Sequence, residues 1–155
     1  MEGLSWTLLA ALAALLLAAA LWDLKKREIP HFIVIAMALL ALPFWWTSGL
    51  TLWPDIALQV GVAAIVFAIF TAAFFLGWMG GGDVKLLGAL ALWLPAPAVM
   101  MMLVIMSFAG GLLTLAMLIW HRLRRQNATL EIPYGVAIAF AGLWLISERF
   151  LNQFG

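Results

Sequence analysis

An all-α bundle of six membrane-crossing segments, packed as a single domain over residues 1–155, is the fold this chain predicts. Three observations predict it. The sequence is 67% hydrophobic and only 10% charged, with a mean hydropathy of +1.14, whereas soluble domains are roughly 45 to 50% apolar and about 25% charged. Its apolar residues fall into runs, most of them near the length of about 20 residues that a helix needs to cross about 30 Å of hydrocarbon. Its basic residues collect in the gaps between alternate runs, as they do in loops that share the cytoplasmic face.

The first run, Leu4 to Trp22, has Glu2 before it and Lys25, Lys26 and Arg27 after it. A secretory signal carries its basic residues ahead of the apolar region, so the order here predicts a retained first span with its N-terminus outside. The second run is Phe32 to Trp53, with Pro43 expected to bend or end it. Ile56 to Trp78 is the third. Val84 to Leu94, the fourth, is about half a crossing long and is closed by Pro95 and Pro97, which predicts a short, tilted or half-inserted helix. Ala98 to Trp120 and Ile132 to Leu151 complete the set.

Fusing residues 84 to 120 into one kinked span would give five crossings instead. Charge decides between the two counts. With six segments the loops at 23–31, 77–85 and 121–131 share a face, and they hold Lys25, Lys26, Arg27, Lys85, Arg122, Arg124 and Arg125, seven of the eight basic residues. The opposite face carries Glu2, Asp55, Glu148 and the one exception, Arg149. The nine tryptophans, at positions 6, 22, 45, 46, 53, 78, 93, 120 and 144, fall at or near the ends of these spans, where indoles prefer the membrane interface.

Composition also narrows the chemistry. The absence of cysteine removes disulfides, thiolate metal sites and cysteine nucleophiles. A net charge of +1 gives no indication of nucleic acid as a partner. His31 and His121 lack companions at metal-ligand spacing and read as interfacial histidines, so neither a metal nor a cofactor is expected. Glu28 and Glu131 offset nearby basic residues, and HRLRR (121–125) reads as a topology determinant with affinity for anionic membrane lipid. Met100 to Met102 reads as adaptable packing, and Gly61, Gly110, Gly111 and Gly142 as points of close helix approach.

One stretch stands apart from this apolar background. GWMGGGDVKLL (77–87) sets Gly80, Gly81 and Gly82 and then Asp83 against the fourth segment. The loop map puts Asp83 on the same face and at a similar depth as Asp23, which ends the first segment. Two aspartates that share one proton can activate water: the ionised one accepts a proton from water while the protonated one donates to a scissile carbonyl. Like charges at short range drive the two titrations apart, and the titrations then belong to the pair. Asp83 can also be the N-cap of its helix, and Asp23 a charge balancing the basic loop beside it; neither role excludes the chemistry.

Three blocks in order, WDLKKREIPH (22–31), GGGDVK (80–85) and EIPYGVAIA (131–139), resemble those of the type IV prepilin peptidases, GxGD-type intramembrane aspartic proteases. The resemblance covers essentially the whole chain and is closest to the short, single-domain branch associated with tight-adherence or Flp-type pili. It implies that Asp23 and Asp83 are catalytic, that Gly80 and Gly82 are the motif glycines, and that prepilins or pseudopilins are the substrates. Leaders would be removed at the cytoplasmic face of a bacterial inner membrane. Gly81, Lys85, Pro30, Tyr134 and Gly135 are the expected supporting residues, with the glycine run giving a substrate backbone room and unusual φ values. Lys85 would act on Asp83 or on substrate carboxylate, and Tyr134 and Gly135 would line the cleft. This chain departs from the family in having His31 where Asn is common, and in lacking the cysteine-bearing loop insertion associated with N-methylation, so peptidase activity alone is expected. An ion-coupled transporter and a non-catalytic assembly subunit are the competing classes.

Overall fold

The computed structural model describes residues 2–124 and 132–154, with side chains over 3–123 and 132–149. Among these residues every regular element is helical. In chain order they are α1 (Glu2–Lys26), α2 (His31–Thr47), α3 (Ala57–Phe75), α4 (Gly81–Ala91), α5 (Ala96–Arg124) and α6 (Tyr134–Phe154), with one π-type turn (Leu52–Ile56) ahead of α3. Arg125 and Glu131 lie outside the described residues.

Three stretches, Gly3–Lys26, Leu52–Phe75 and Ala96–Leu123, are long and apolar enough to cross a membrane, and α2 is a shorter apolar helix of 17 residues. Large apolar side chains such as Leu39, Ile65, Ile69 and Phe108 are exposed along them. In water that surface would be unfavourable, but against lipid it costs nothing. The chain is a multi-pass membrane protein.

The second segment is shorter than its sequence suggests. Pro43 neither ends nor interrupts α2, which closes at Thr47 instead of Trp53. The Ser48 amide bonds Phe44 O at 2.9 Å, and Gly49, at a φ of +69°, makes the left-handed turn that side chains disfavour. Asp55 then reaches back to accept from the Thr51 amide (2.9 Å) and hydroxyl (2.7 Å), fixing the approach to α3.

Helix α4 is the centre of the molecule, packed against α2, α3 and α6. Leu86, Leu87, Leu90 and Ala91 are completely enclosed. Eleven residues rise about 16 Å, half a bilayer. That length suffices because the ends of α4 meet other helices and not lipid, where unpaired backbone groups would be costly. Its C-terminal end is locked to α2 by two indoles: Trp45 Nε1 donates to Leu92 O at 2.8 Å, and Trp93 Nε1 donates to Met37 O at 2.9 Å. The Phe44 and Trp93 rings stack beside them with centroids 4.8 Å apart. Trp45 and Trp93 are therefore core residues, contrary to their sequence reading as interfacial anchors.

Packing glycines divide in the same way. A Cβ on Gly142 would lie 2.9 Å from both Leu16 and Leu90, and one on Gly110 would touch Tyr134 and Ala137, whereas Gly61 and Gly111 face open space. Of the three consecutive methionines only Met102 is in the core, while Met100 and Met101 are exposed. Gly142→Val is expected to destabilise the protein by about 1–3 kcal/mol through overpacking. Gly61→Ala should cause no loss, and thermal denaturation of both variants in detergent checks the contrast.

Candidate active site

A cleft of about 550 Å³ opens where the end of α1, the turn after it, the start of α2 and the start of α4 converge. Its lining runs through Trp22, Asp23, Lys26 to His31, and Gly80 to Asp83. Local sequence builds each wall. Lys25 and Lys26 occupy the last turn of α1, where cations suit the helix dipole. Arg27 then stops the helix with a φ of 55°, and its amide bonds Asp23 O at 2.9 Å. That left-handed position is one glycine usually fills, and it costs an ordinary residue roughly 1–2 kcal/mol. The turn sends Ile29 into the core and places Pro30 as the N-cap of α2, its carbonyl accepting from the Ile33 amide at 3.1 Å.

The other wall is the first turn of α4. Gly80 is the N-cap, so Asp83 is the third helical residue and not the cap that its sequence position suggested. Its carboxylate bends back toward the Gly80 amide, the acidic half of a capping box. None of the three glycines has a positive φ, so the unusual backbone conformation expected of them is not what they supply. They are small because neighbours come close. A Cβ would lie 3.0 Å from Asp83 Oδ2 at Gly80, 3.2 Å from the Phe74 ring at Gly81, and 3.2 Å from Ile29 Cβ at Gly82.

Asp23 and Asp83 are only 5% and 8% exposed, yet both border the cleft and are near enough to act on one another electrostatically. The start of α6 lies against them. The Gly135 backbone acts on both carboxylates, the Val136 amide, which itself bonds Pro133 O at 3.2 Å, acts weakly on Asp23, and Arg27 is the cation that acts on Asp23. An acid pair at a helix N-terminus is favoured by the positive end of the dipole. Even so, Asp23 Oδ2 is fully enclosed without a completed hydrogen bond. An enclosed acceptor left unpaired costs about 1–3 kcal/mol.

The expected supporting residues fare unevenly. Gly80, Gly81, Gly82 and Pro30 border the cleft, and Gly135 sits directly behind Asp23. Lys85 does not join them: it is exposed on α4, outside the cleft lining and not among the groups acting on Asp83. Tyr134 packs its ring against Gly110 of α5 and does not line the cleft. Sequence reading took Arg27 and Glu28 for topology and charge balance, but both line the cleft, as does Ile29. The available signal was Ile29 itself, a lone aliphatic in a charged loop. Such a residue has to find a core, and it draws the loop over the aspartates.

The family model of the type IV leader peptidases matches residues 10–115, most of the chain and both aspartates. The chain belongs to that family. The curated proteins and the solved structures yielded no match.

Gly135 is the most restrictive contact in the site, because a Cβ there would lie 2.8 Å from Asp23 Oδ2 and 2.9 Å from Ile29 Cδ1. A misplacement of about 1 Å at a reacting group costs about 10²-fold in rate. Gly135→Ala should therefore lower turnover by about that factor while helical content, read by circular dichroism, stays unchanged.

Proposed function

We propose that this member of the type IV leader peptidase family is a membrane aspartic endopeptidase that removes the leader of type IV prepilins or pseudopilins. The observation that carries the proposal is the pairing of Asp23 and Asp83, two buried carboxylates from α1 and α4 facing one open cleft against the same Gly135 amide.

In this mechanism one aspartate is ionised and takes a proton from a water molecule whose oxygen attacks the scissile carbonyl carbon. The other is protonated and donates to the carbonyl oxygen. The resulting tetrahedral intermediate collapses as a proton passes to the leaving nitrogen, the C–N bond breaks, and the pair is left with its original single proton. Arg27 and the backbone at the start of α6 favour the ionised form of Asp23, and the Gly80 and Gly135 amides do the same for Asp83. The glycine turn adds no side chain to its side of the cleft, so an extended peptide can approach both acids from there.

The topology proposed with it has six membrane segments, the N-terminus outside, and the cleft at the cytoplasmic face of a bacterial inner membrane. Support comes from the placement of Lys25, Lys26, Arg27, Lys85 and Arg122 in or beside the loops at the cleft end. N-methylation is not part of the proposed activity, since the 23–31 loop carries no cysteine-bearing insertion. An ion-coupled transporter is disfavoured by the enclosed apolar residues Met37, Leu86, Leu87 and Leu90, which among the described residues fill the bundle beyond the acids.

Co-expression with a candidate prepilin, followed by electrophoretic mobility of the substrate, tests the mechanism. Asp23→Asn and Asp83→Asn should each reduce leader removal by about 10²-fold or more, and normal processing by either variant would refute the two-aspartate mechanism. Zinc chelators are expected to leave processing by the wild type unchanged.

A further inference from the structure

A second cavity, of about 500 Å³, opens at the opposite end of the bundle, between the C-terminal ends of α2 and α4, the start of α3 and the late turns of α6. Its wall joins the rings of Phe44 and Trp93 to the polar groups of Ser48, Gln59, Glu148 and Arg149. No residue of the proposed reaction contributes to it.

Two of these polar groups, Gln59 and Ser48, are enclosed without a partner, and the two charged ones stand exposed at the mouth of the cavity. Gln59 is only 7% exposed, and its side-chain amide makes no hydrogen bond among the described residues. Ser48 Oγ is fully enclosed and also unpartnered. The Arg149 guanidinium lies over the Phe44 ring, 5.4 Å from its centroid. A cation–π contact engages none of the guanidinium N–H donors in a hydrogen bond and leaves them available to an anion. No ion pair engages Arg149 among the described residues. Glu148 accepts only the Trp144 indole N–H, at 3.2 Å. Buried amides and hydroxyls are rarely left unpaired, because doing so forfeits the hydrogen bonds they make in water.

The geometry points to a binding site for one zwitterionic phospholipid headgroup of the phosphoethanolamine class. Arg149 receives the phosphate by charge-assisted hydrogen bonds, and Glu148 faces the ammonium. Gln59 donates to the ester and glycerol oxygens. The volume falls within the range of about 300–1,000 Å³ typical of small-ligand sites. A lipid is favoured over a soluble phosphate because Trp46 and Leu52, 80% and 82% exposed, flank the segment bearing Ser48 and offer apolar surface that only acyl chains would cover. Glu148 favours a headgroup with a cationic end over a purely anionic one.

The test uses the full chain, purified in detergent and stripped of lipid. Dioleoyl phosphatidylethanolamine, dioleoyl phosphatidylglycerol or inorganic phosphate is then added, and native mass spectrometry and thermal denaturation are recorded. The expected result is one phosphatidylethanolamine retained per chain with a rise in Tm, binding of phosphatidylglycerol weaker by about tenfold, and no response to phosphate. Arg149→Gln should weaken phosphatidylethanolamine retention by about tenfold or more while eluting as a monodisperse helical protein. Gln59→Leu is the second variant, and it decides the matter if Arg149→Gln does not fold. Removing an unpaired amide should raise the Tm of the stripped protein and diminish the rise caused by lipid. The proposal is overturned if phosphatidylethanolamine is not retained, if phosphatidylglycerol binds as well or phosphate gives the same shift, or if lipid acts equally on the wild type and both variants.

Discussion

Two carboxylates with little exposure to solvent can remain close together only if the surrounding structure supplies positive potential and leaves room for a proton, and in this molecule the start of α6 does both. The Gly135 backbone acts on Asp23 and Asp83 alike, and the missing side chain at Gly135 is what lets the Asp23 carboxylate approach to where a Cβ would be. The rest of the fold follows from that approach. α1 and α6 must be neighbours, α4 must begin beside both, and the 27–30 turn must cross above with Ile29 as its anchor.

The short central helix meets these requirements. A full-length span in the position of α4 would carry its first turn to the membrane surface and place Asp83 in open solvent. At 11 residues, enclosed by α2, α3 and α6, it sets its N-terminal turn at the base of a cleft. The cost is a C-terminal end inside the bundle, where its carbonyls need donors. Trp45 provides one to Leu92 O, and Trp93 ties the following residues to Met37 O. Tryptophans that would anchor an ordinary helix at the interface here hold the end of a short helix inside the bundle.

The two ends of the bundle differ in character for the same reason. Between them the core is apolar and closed, so polar chemistry is confined to places where helices start or stop. At one end that gives the acid pair with Arg27. At the other it leaves Arg149, Glu148, Gln59 and Ser48 around a cavity with unmet hydrogen-bonding capacity. Backbone groups at helix ends and the side chains beside them are the ones a membrane bundle leaves to be satisfied by something other than itself.

Sequence alone determined the membrane class, the order of the helices and most of their boundaries, and it singled out Asp23 and Asp83, which the fold brings to one cleft. Hydropathy and charge act on each segment independently of its neighbours, so these features are readable one segment at a time. What only the tertiary structure decided depends on which surfaces meet. α2 runs through Pro43 and stops early at Thr47 because the Ser48–Gly49 turn closes it. Trp45 and Trp93 face the core because α4 ends beside α2. Lys85 points away from the acids, while Arg27, from a loop that read as a topology signal, stands beside Asp23. The glycines of the GGGD run serve close packing against Phe74, Ile29 and the Asp83 carboxylate, a requirement set by side chains distant in sequence and therefore invisible until the chain is folded.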